Sequence, residues 1–236
     1  MKYIDRSKEN EPTILQGMAA PINGDAVDEN VYGHEEVKST LQRLQKGICC
    51  YCESRYDITG YADVEHFRPK KGWKQDKDDK ELHKPGYYWL AYKWDNLLYS
   101  CNKCNRTYKK NFFPLKDPNK RFKPATLNIS QEEPLLINPY EEQHPENHLE
   151  FDGPFIKSKT DKGAYSIVYY GLDRNELNEE RLRIYNDINA FVDLATLAKD
   201  TPLEQQMNDG IKKRVEEKLD ELMHTLMIKC NFSEYL

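Results

Sequence analysis

Cys49-Cys-Tyr-Cys52 and Cys101-Asn-Lys-Cys104 flank the segment Asp63-Val-Glu-His-Phe-Arg-Pro-Lys70. Each Cys-x2-Cys pair places two thiols on one tight turn, and two such pairs supply the four soft ligands that tetrahedral zinc prefers. We therefore predict a structural zinc site made of Cys49, Cys52, Cys101 and Cys104. Disulfides are the alternative, but they require an oxidising compartment, of which the chain gives no sign. Free buried thiols are a second alternative.

The composition is typical of a water-soluble globular protein. The chain has 236 residues, of which 32% are charged and 38% are hydrophobic, and this length is enough for a sizeable core. No apolar run approaches the ~20 residues that span a bilayer. The first ten residues lack the apolar centre of a secretory signal. We therefore expect a cytoplasmic protein that makes no membrane contact.

The charge of the chain is unevenly distributed. The net charge of −5 argues against indiscriminate coating of nucleic acid. Residues 101–123, however, carry eight Lys or Arg side chains against one Asp, a net charge of +7. Such a stretch can neutralise phosphates, although a solvated lysine-rich loop is the alternative. Its position at the second cysteine pair favours contact with phosphates.

The middle of the chain predicts a small αβ unit held by the cysteines. Apolar spacing predicts a helix over residues 34–46, which Gly47 would end. Tyr56–Phe67 has the pattern of a strand or hairpin, and a helix carrying Asn105 and Lys109 is expected after the second cysteine pair. We divide the chain into an irregular segment, a zinc-pinned core and a C-terminal part, with bounds 1–33, 34–125 and 126–236.

The C-terminal part is predicted to contain short strands followed by helices, so that the whole chain belongs to the α+β class. Four stretches of β-forming residues are separated by Pro and Gly, namely Leu135–Ile137, Leu149–Phe151, Phe155–Ile156 and Tyr165–Tyr170. Apolar residues at helical spacing then predict one helix through Leu182–Val192 and another, after Thr201-Pro202, from Met207 through Leu226. We expect these helices to form a hairpin.

A carboxylate, a neighbouring imidazole and an amide suit the hydrolysis of a phosphodiester. The imidazole of His66 can accept a proton from water near neutral pH, since an unperturbed histidine pKa is about 6.5. Glu65 and Asn105 would provide oxygen ligands for a divalent ion that stabilises the leaving oxygen. His66 alone would be an ordinary surface residue and Asn105 a helix cap. Their position beside the cysteine pairs favours the catalytic interpretation.

Several segments resemble the HNH endonuclease superfamily, and more narrowly the PtuB-type HNH nucleases associated with Septu and retron antiphage systems. The strongest are Cys49–Glu53, Val64–Lys70, Trp94–Arg106 and Lys110–Pro114, and Leu135–Pro139 and Ile167–Arg174 are similar as well. The resemblance covers at least residues 34–115.

The resemblance implies a zinc-stabilised ββα-metal fold in which His66 is the general base. Glu65 would be the acidic ligand of a catalytic Mg²⁺ or Mn²⁺ ion, with Asp63 as a second acidic candidate. Asn96 matches the middle asparagine, which braces the loop or orients the histidine. Asn105 holds the last position, where His is frequent, and would bind the ion through its amide oxygen. The expected phosphate contacts are Arg68, Lys70, Arg106, Lys109 and Lys110.

The resemblance also implies partners, namely a PtuA-type ATPase and, in retron systems, a reverse transcriptase with its single-stranded DNA. The chain has no Gly-x4-Gly-Lys-Ser/Thr motif, so any nucleotide dependence would come from a partner. We expect the C-terminal helices to dock the ATPase and the nuclease to cut DNA in a defence complex. The alternatives are the same chemistry on structured RNA such as tRNA, and a non-catalytic zinc-knuckle module that binds nucleic acid.

Overall fold

A two-stranded antiparallel sheet and the helix that follows it form the centre of the molecule. The computed structural model of the chain describes residues 1–56 and 62–236, so part of the predicted Tyr56–Phe67 strand lies outside the described residues. Strand β1, Ala62–His66, pairs with β2, Leu97–Cys101. The short helix Lys103–Lys109 follows β2 directly. It is a π-helix, in which hydrogen bonds join residues five apart, as from the Lys110 N–H to the Asn105 carbonyl (2.7 Å).

The predicted N-terminal helix is present and covers one face of this sheet. The one-turn helix α1, Glu29–Tyr32, precedes α2, Glu35–Gln45, which ends in the left-handed residues Lys46 (φ 53°) and Gly47 (φ 72°). Glycine adopts this conformation without steric cost, so Gly47 is an effective stop.

Strand β2 is buried at all five positions, which explains why its sequence does not alternate between apolar and charged residues. Leu97 and Tyr99 belong to an apolar cluster that α2 completes with Val37 and Leu41. Leu98 faces a larger cluster that extends through the cysteine turns into the C-terminal helices. The sheet therefore lies between α2 and the C-terminal part of the chain.

The C-terminal part contains a second antiparallel pair, β3 (Leu149–Asp152) and β4 (Phe155–Ser158), close to the predicted strands. The predicted strand Tyr165–Tyr170 is wrong, because these residues belong to helix α3, Asp161–Tyr170. Thr160 caps this helix by accepting a hydrogen bond from the Gly163 N–H (3.2 Å). Burial of side chains at helical spacing outweighs the β propensity of the aromatic and β-branched residues.

The predicted strand Leu135–Ile137 is also wrong, since this segment has bends and, at Pro134, one isolated bridge to Leu115. Two side chains of α3 satisfy the backbone of Ile137 instead of a strand neighbour. Its N–H donates to the Ser166 hydroxyl (2.9 Å), and its carbonyl accepts from the Tyr170 hydroxyl (2.9 Å).

Helices α4 (Asn175–Leu197) and α5 (Glu204–Asp220) form the predicted hairpin. The second helix does not continue through Leu226 as predicted. Leu222 (φ 62°) and His224 (φ 49°) break it, and α6, Thr225–Asn231, begins afterwards. Among the described residues, each helix is too short or too polar to cross a bilayer.

Gly171, in the C-terminal part, packs directly against the Lys103–Lys109 helix that follows β2. It ends α3 with φ 61°, and a Cβ atom at this position would lie 2.4 Å from the ring of Tyr108. Any side chain here would therefore be strained in its backbone and would also collide with Tyr108.

Candidate metal centre and catalytic cleft

The four cysteines of the two Cys-x2-Cys turns lie together and are buried. Their sulfur atoms are all within 4.8 Å of one another, and in residues 1–56 and 62–236 they form the one cluster of three or more potential His, Cys, Asp or Glu ligands. Cys52 Sγ and Cys101 Sγ are 3.9 Å apart. Tetrahedral zinc with Zn–S bonds of about 2.3 Å places its sulfurs about 3.8 Å apart, so the spacing fits zinc. None of these four cysteines forms a disulfide.

Hydrogen-bond donors point at these sulfur atoms. The Cys101 N–H donates to Cys49 Sγ (3.3 Å), and Arg174 Nη1 donates to Cys104 Sγ (3.5 Å). Burial alone would lower the pKa of Arg174, but negative charge on Cys104 and Cys52 raises it above its ordinary value. Such donors favour thiolates over thiols. The cluster therefore fits a structural zinc ion, which would hold the first cysteine turn against the end of β2.

The imidazole of His66 is buried and held in one orientation. Nε2 lies 3.0 Å from the Ala91 carbonyl oxygen, a hydrogen bond that requires the proton on Nε2 and leaves the lone pair on Nδ1. Nδ1 is 3.4 Å from Lys70 Nζ, and the ring packs edge-on against Tyr32. Burial and then the positive charge of Lys70 lower the pKa of His66 well below its ordinary value. The imidazole is therefore neutral near pH 7.

Asn96 connects the two chain segments on either side of this imidazole. Its Oδ1 accepts a hydrogen bond from the Arg68 N–H (2.8 Å), and its Nδ2 donates to the carbonyls of Arg68 (3.1 Å) and Leu90 (3.2 Å). Leu90 precedes Ala91, whose carbonyl contacts His66. A change at Asn96 would thus alter the position of the imidazole without touching it.

Glu65 is part of a buried ion pair. Its Oε1 lies 2.6 Å from Lys109 Nζ, and the Tyr51 hydroxyl donates to the same oxygen (3.3 Å). Lys109 is fully buried and also donates to the carbonyl of His66 (2.9 Å). Lys109 was expected to contact phosphate, but its ammonium is enclosed and has two partners. The Glu65 carboxylate is likewise buried, and its hydrogen-bond donors are Lys109 and Tyr51.

We expect single substitutions in this pair to destabilise the fold. Glu65→Gln leaves the Lys109 charge buried, and Lys109→Met leaves the Glu65 charge buried, each at a cost of about 3–5 kcal/mol in the free energy of unfolding. The double variant removes both charges and should recover about half of that loss. Urea unfolding of the four proteins measures these differences. Additive losses in the double variant would contradict the coupling of the two side chains.

Asp63 and Asn105 lie in an open cleft of about 730 Å³ between β1, the start of α2 and the Lys103–Lys109 helix. Arg106 Nε (2.7 Å) and Nη2 (2.6 Å) donate to the two oxygens of Asp63, and Asn105 Nδ2 lies 3.3 Å from the same carboxylate. The Arg106 side chain is 70% exposed. Water screens this ion pair on the Arg106 side, whereas Asp63 is 17% exposed, so Arg106 can leave Asp63 more easily than the fully buried Lys109 can leave Glu65.

The other basic residues are divided between the surface and the core. Lys70 lines the cleft, and Lys110 is exposed. Arg68 is largely buried beside Glu132 (3.4 Å). Arg121, within the +7 stretch, is buried and donates to the Phe113 carbonyl (2.7 Å). The charge count of the sequence therefore overstates the positive surface.

Three residues of the cleft wall, Tyr32, His34 and Lys38, had no signal in the sequence. Tyr32 lies in α1, His34 at the junction of the two helices and Lys38 in α2, about thirty residues before His66. Apolar spacing in the sequence indicates only the buried face of α2, and these side chains lie outside that face. Arg174 was recognisable, because it ends the segment Ile167–Arg174 that resembles the nuclease family.

Comparison with known proteins finds similarity to Septu proteins. The Septu protein PtuB of Bacillus mycoides (strain KBAB4) is 46% identical over 160 residues, which cover 66% of this chain and 53% of that protein. The chain is similar to this PtuB. The PtuB of Bacillus thuringiensis is 28% identical over 167 residues, 70% of this chain and 52% of that protein. The predicted resemblance to PtuB-type proteins is thus confirmed, and the chain spans about half the length of these PtuB relatives.

A Septu protein of a different name is also similar to the chain. The Septu protein PtuA of Bacillus mycoides (strain KBAB4) is 28% identical over 165 residues, which cover 70% of this chain and 23% of PtuA. No protein-family model matches the chain.

Proposed function

We propose that the chain is a divalent-ion-dependent HNH endonuclease that hydrolyses phosphodiester bonds in DNA as an effector of a bacterial antiphage defence complex. The observation that carries this proposal is the orientation of His66, whose Nε2 donates to the Ala91 carbonyl while Nδ1 keeps its lone pair, 3.4 Å from Lys70 Nζ. The Septu relatives support the defence role. The four-cysteine cluster between β2 and the first cysteine turn supports a zinc-stabilised ββα-metal core.

In this function, Lys70 moves from His66 Nδ1, 3.4 Å away in the structure, to a phosphate oxygen, and Nδ1 then accepts a proton from the water that attacks the phosphorus. Lys70 and Arg106, both at the cleft, bind phosphate oxygens. Asn96 holds the segments around the imidazole. A bound divalent ion would stabilise negative charge on the leaving oxygen. The predicted ligands Glu65 and Asn105 do not fit such an ion as a pair here, because Glu65 is bonded to Lys109 and Asn105 to Asp63, and no step is assigned to them.

The proposal is tested by incubating the zinc-loaded protein, with and without its genomic partner, with supercoiled plasmid and total tRNA in Mg²⁺ or Mn²⁺. We expect nicked and linear plasmid, intact tRNA, and loss of cleavage when a weak chelator removes the divalent ion but not the zinc. Cleavage of tRNA alone would assign the same chemistry to RNA. Binding of nucleic acid without cleavage of either substrate would support the non-catalytic zinc-knuckle module.

We further propose that the end of the α4–α5 hairpin docks a PtuA-type ATPase, and that in a retron assembly a reverse transcriptase and its single-stranded DNA join the complex. Apolar side chains at this end are exposed, with Leu194 at 53%, Leu197 at 81% and Leu203 at 54%. Apolar side chains clustered on a surface are typical of protein contacts.

The double substitution Leu194→Lys/Leu197→Lys is expected to weaken co-purification of the ATPase by at least about tenfold, since it places two charges in the centre of an apolar contact. Ile22→Lys is the matched control, because Ile22 is 83% exposed in the N-terminal segment. Pull-down from cells that express both proteins measures the effect. Equal recovery of the ATPase by the double variant and the control would place the docking surface elsewhere.

A further inference from the structure

We propose that Asp63 and Asn105, rather than Glu65 and Asn105, bind the divalent cation, and that Arg106 is the resident counter-ion which the cation displaces. This inference rests on the proposed nuclease function for its purpose, but the cation site itself can be tested without nuclease activity. It follows from the disagreement between the predicted ligand pair and the partners that those side chains have in the structure.

Glu65 is poorly suited to exchange partners. Its side chain is 5% exposed, and the Lys109 ammonium at 2.6 Å is fully buried. A cation that took Glu65 would leave the charge of Lys109 inside the protein without its carboxylate. Lys109 also donates a hydrogen bond to the carbonyl of His66 (2.9 Å), so a second bond holds its ammonium beside Glu65.

Asp63, in contrast, lies on the wall of the open cleft beside an amide. Asn105 Nδ2 is 3.3 Å from Asp63 Oδ2, and rotation of this amide about its last bond presents Oδ1 to a cation held by the same carboxylate. A carboxylate and an amide oxygen, with the remaining positions open to water and phosphate, are typical ligands of Mg²⁺ and Mn²⁺.

Arg106 supplies the second, independent part of the argument. Its guanidinium occupies both oxygens of Asp63, at 2.6 and 2.7 Å, yet its side chain is 70% exposed. Once displaced by a cation, it remains at the cleft and can bind a phosphate through the same two N–H groups. In this exchange the two positive charges of the cation take the place of the single charge of Arg106 beside Asp63. The charge of Arg106 is then free to bind the substrate.

The test is a titration of the zinc-loaded protein with Mn²⁺, in which electron paramagnetic resonance measures the free Mn²⁺ ion. We expect Asp63→Asn to weaken binding at least about tenfold and Asn105→Ala to weaken it by about the same factor. Arg106→Gln should tighten binding by about two- to fivefold, because it removes the competing ion pair. Glu65→Gln/Lys109→Met should bind Mn²⁺ within about twofold of the unchanged protein.

The tightening by Arg106→Gln separates a counter-ion from a residue with a merely structural role. Loss of Mn²⁺ binding in the folded Glu65→Gln/Lys109→Met variant, with binding retained in Asp63→Asn, would overturn the inference. Absence of Mn²⁺ binding to the unchanged protein would overturn it as well. If Mn²⁺ binds with the expected dependence on Asp63 but no substrate is cut, the cation site stands and the nuclease function fails.

Discussion

Replacing His66 with glutamine is expected to reduce phosphodiester cleavage by about 10²–10⁴-fold, which is the usual contribution of a general base. Glutamine can still donate a hydrogen bond to the Ala91 carbonyl, now 3.0 Å from Nε2. It has no basic nitrogen, however, and therefore cannot accept the proton of the attacking water. The fold should be retained, because the buried backbone acceptor keeps a donor.

The measurement is single-turnover cleavage of plasmid DNA, together with a thermal unfolding curve for each protein. His144→Gln is the matched control, since the side chain of this histidine is 67% exposed and its Nδ1 lies 3.1 Å from Glu146 Oε1 at the surface. It should cleave as the unchanged protein does. Full cleavage by the folded His66 variant would reject His66 as the base and leave the zinc-knuckle binding module as the better interpretation.

Removal of zinc, or substitution of Cys104 by serine, is expected to abolish the cooperative unfolding of the central sheet. Structural zinc contributes about 10–16 kcal/mol of apparent binding energy in small sites, which is as large as the total stability of a typical domain, about 5–15 kcal/mol. Cys104 is buried among the other three sulfurs and also accepts a hydrogen bond from Arg174 (3.5 Å). Its loss should therefore disturb both the cysteine turns and the start of α4.

Zinc content by mass spectrometry and thermal unfolding by circular dichroism check this prediction. The control is Cys230→Ser, because Cys230 is exposed and lies outside the cluster. We expect one zinc per chain and unchanged unfolding in the control, with a change in unfolding free energy within about 0.5 kcal/mol. A Cys104→Ser variant that unfolds at the same temperature as the control would show that the ion is dispensable.

Features with a local cause could be predicted from the sequence. The two Cys-x2-Cys turns determine which four sulfurs meet, and Gly47 marks the end of α2. Features that depend on distant partners could not. Tyr165–Tyr170 has the composition of a strand, but Ser166 and Tyr170 bond to the backbone of Ile137 from a helix.

The candidate site also combines features that the sequence predicts with features that depend on distant partners. The order of Glu65, His66 and Asn105 along the chain indicated phosphodiester chemistry, but not which carboxylate faces the cleft. That choice depends on the partners of two basic residues, since Lys109 lies inside with Glu65 and Arg106 lies outside with Asp63. Lys109 and Arg106 belong to the same short helix, Lys103–Lys109. The path of its backbone decides that one is buried and the other exposed.

The close approach of Gly171 to the ring of Tyr108, with 2.4 Å left for a Cβ atom, has a consequence for the evolution of this protein. The two positions are 63 residues apart in the sequence, yet neither can grow in size independently. Homologues that carry a larger residue at position 171 should carry a much smaller one at position 108. An alignment of such proteins should therefore record this contact as a pair of sites that change together.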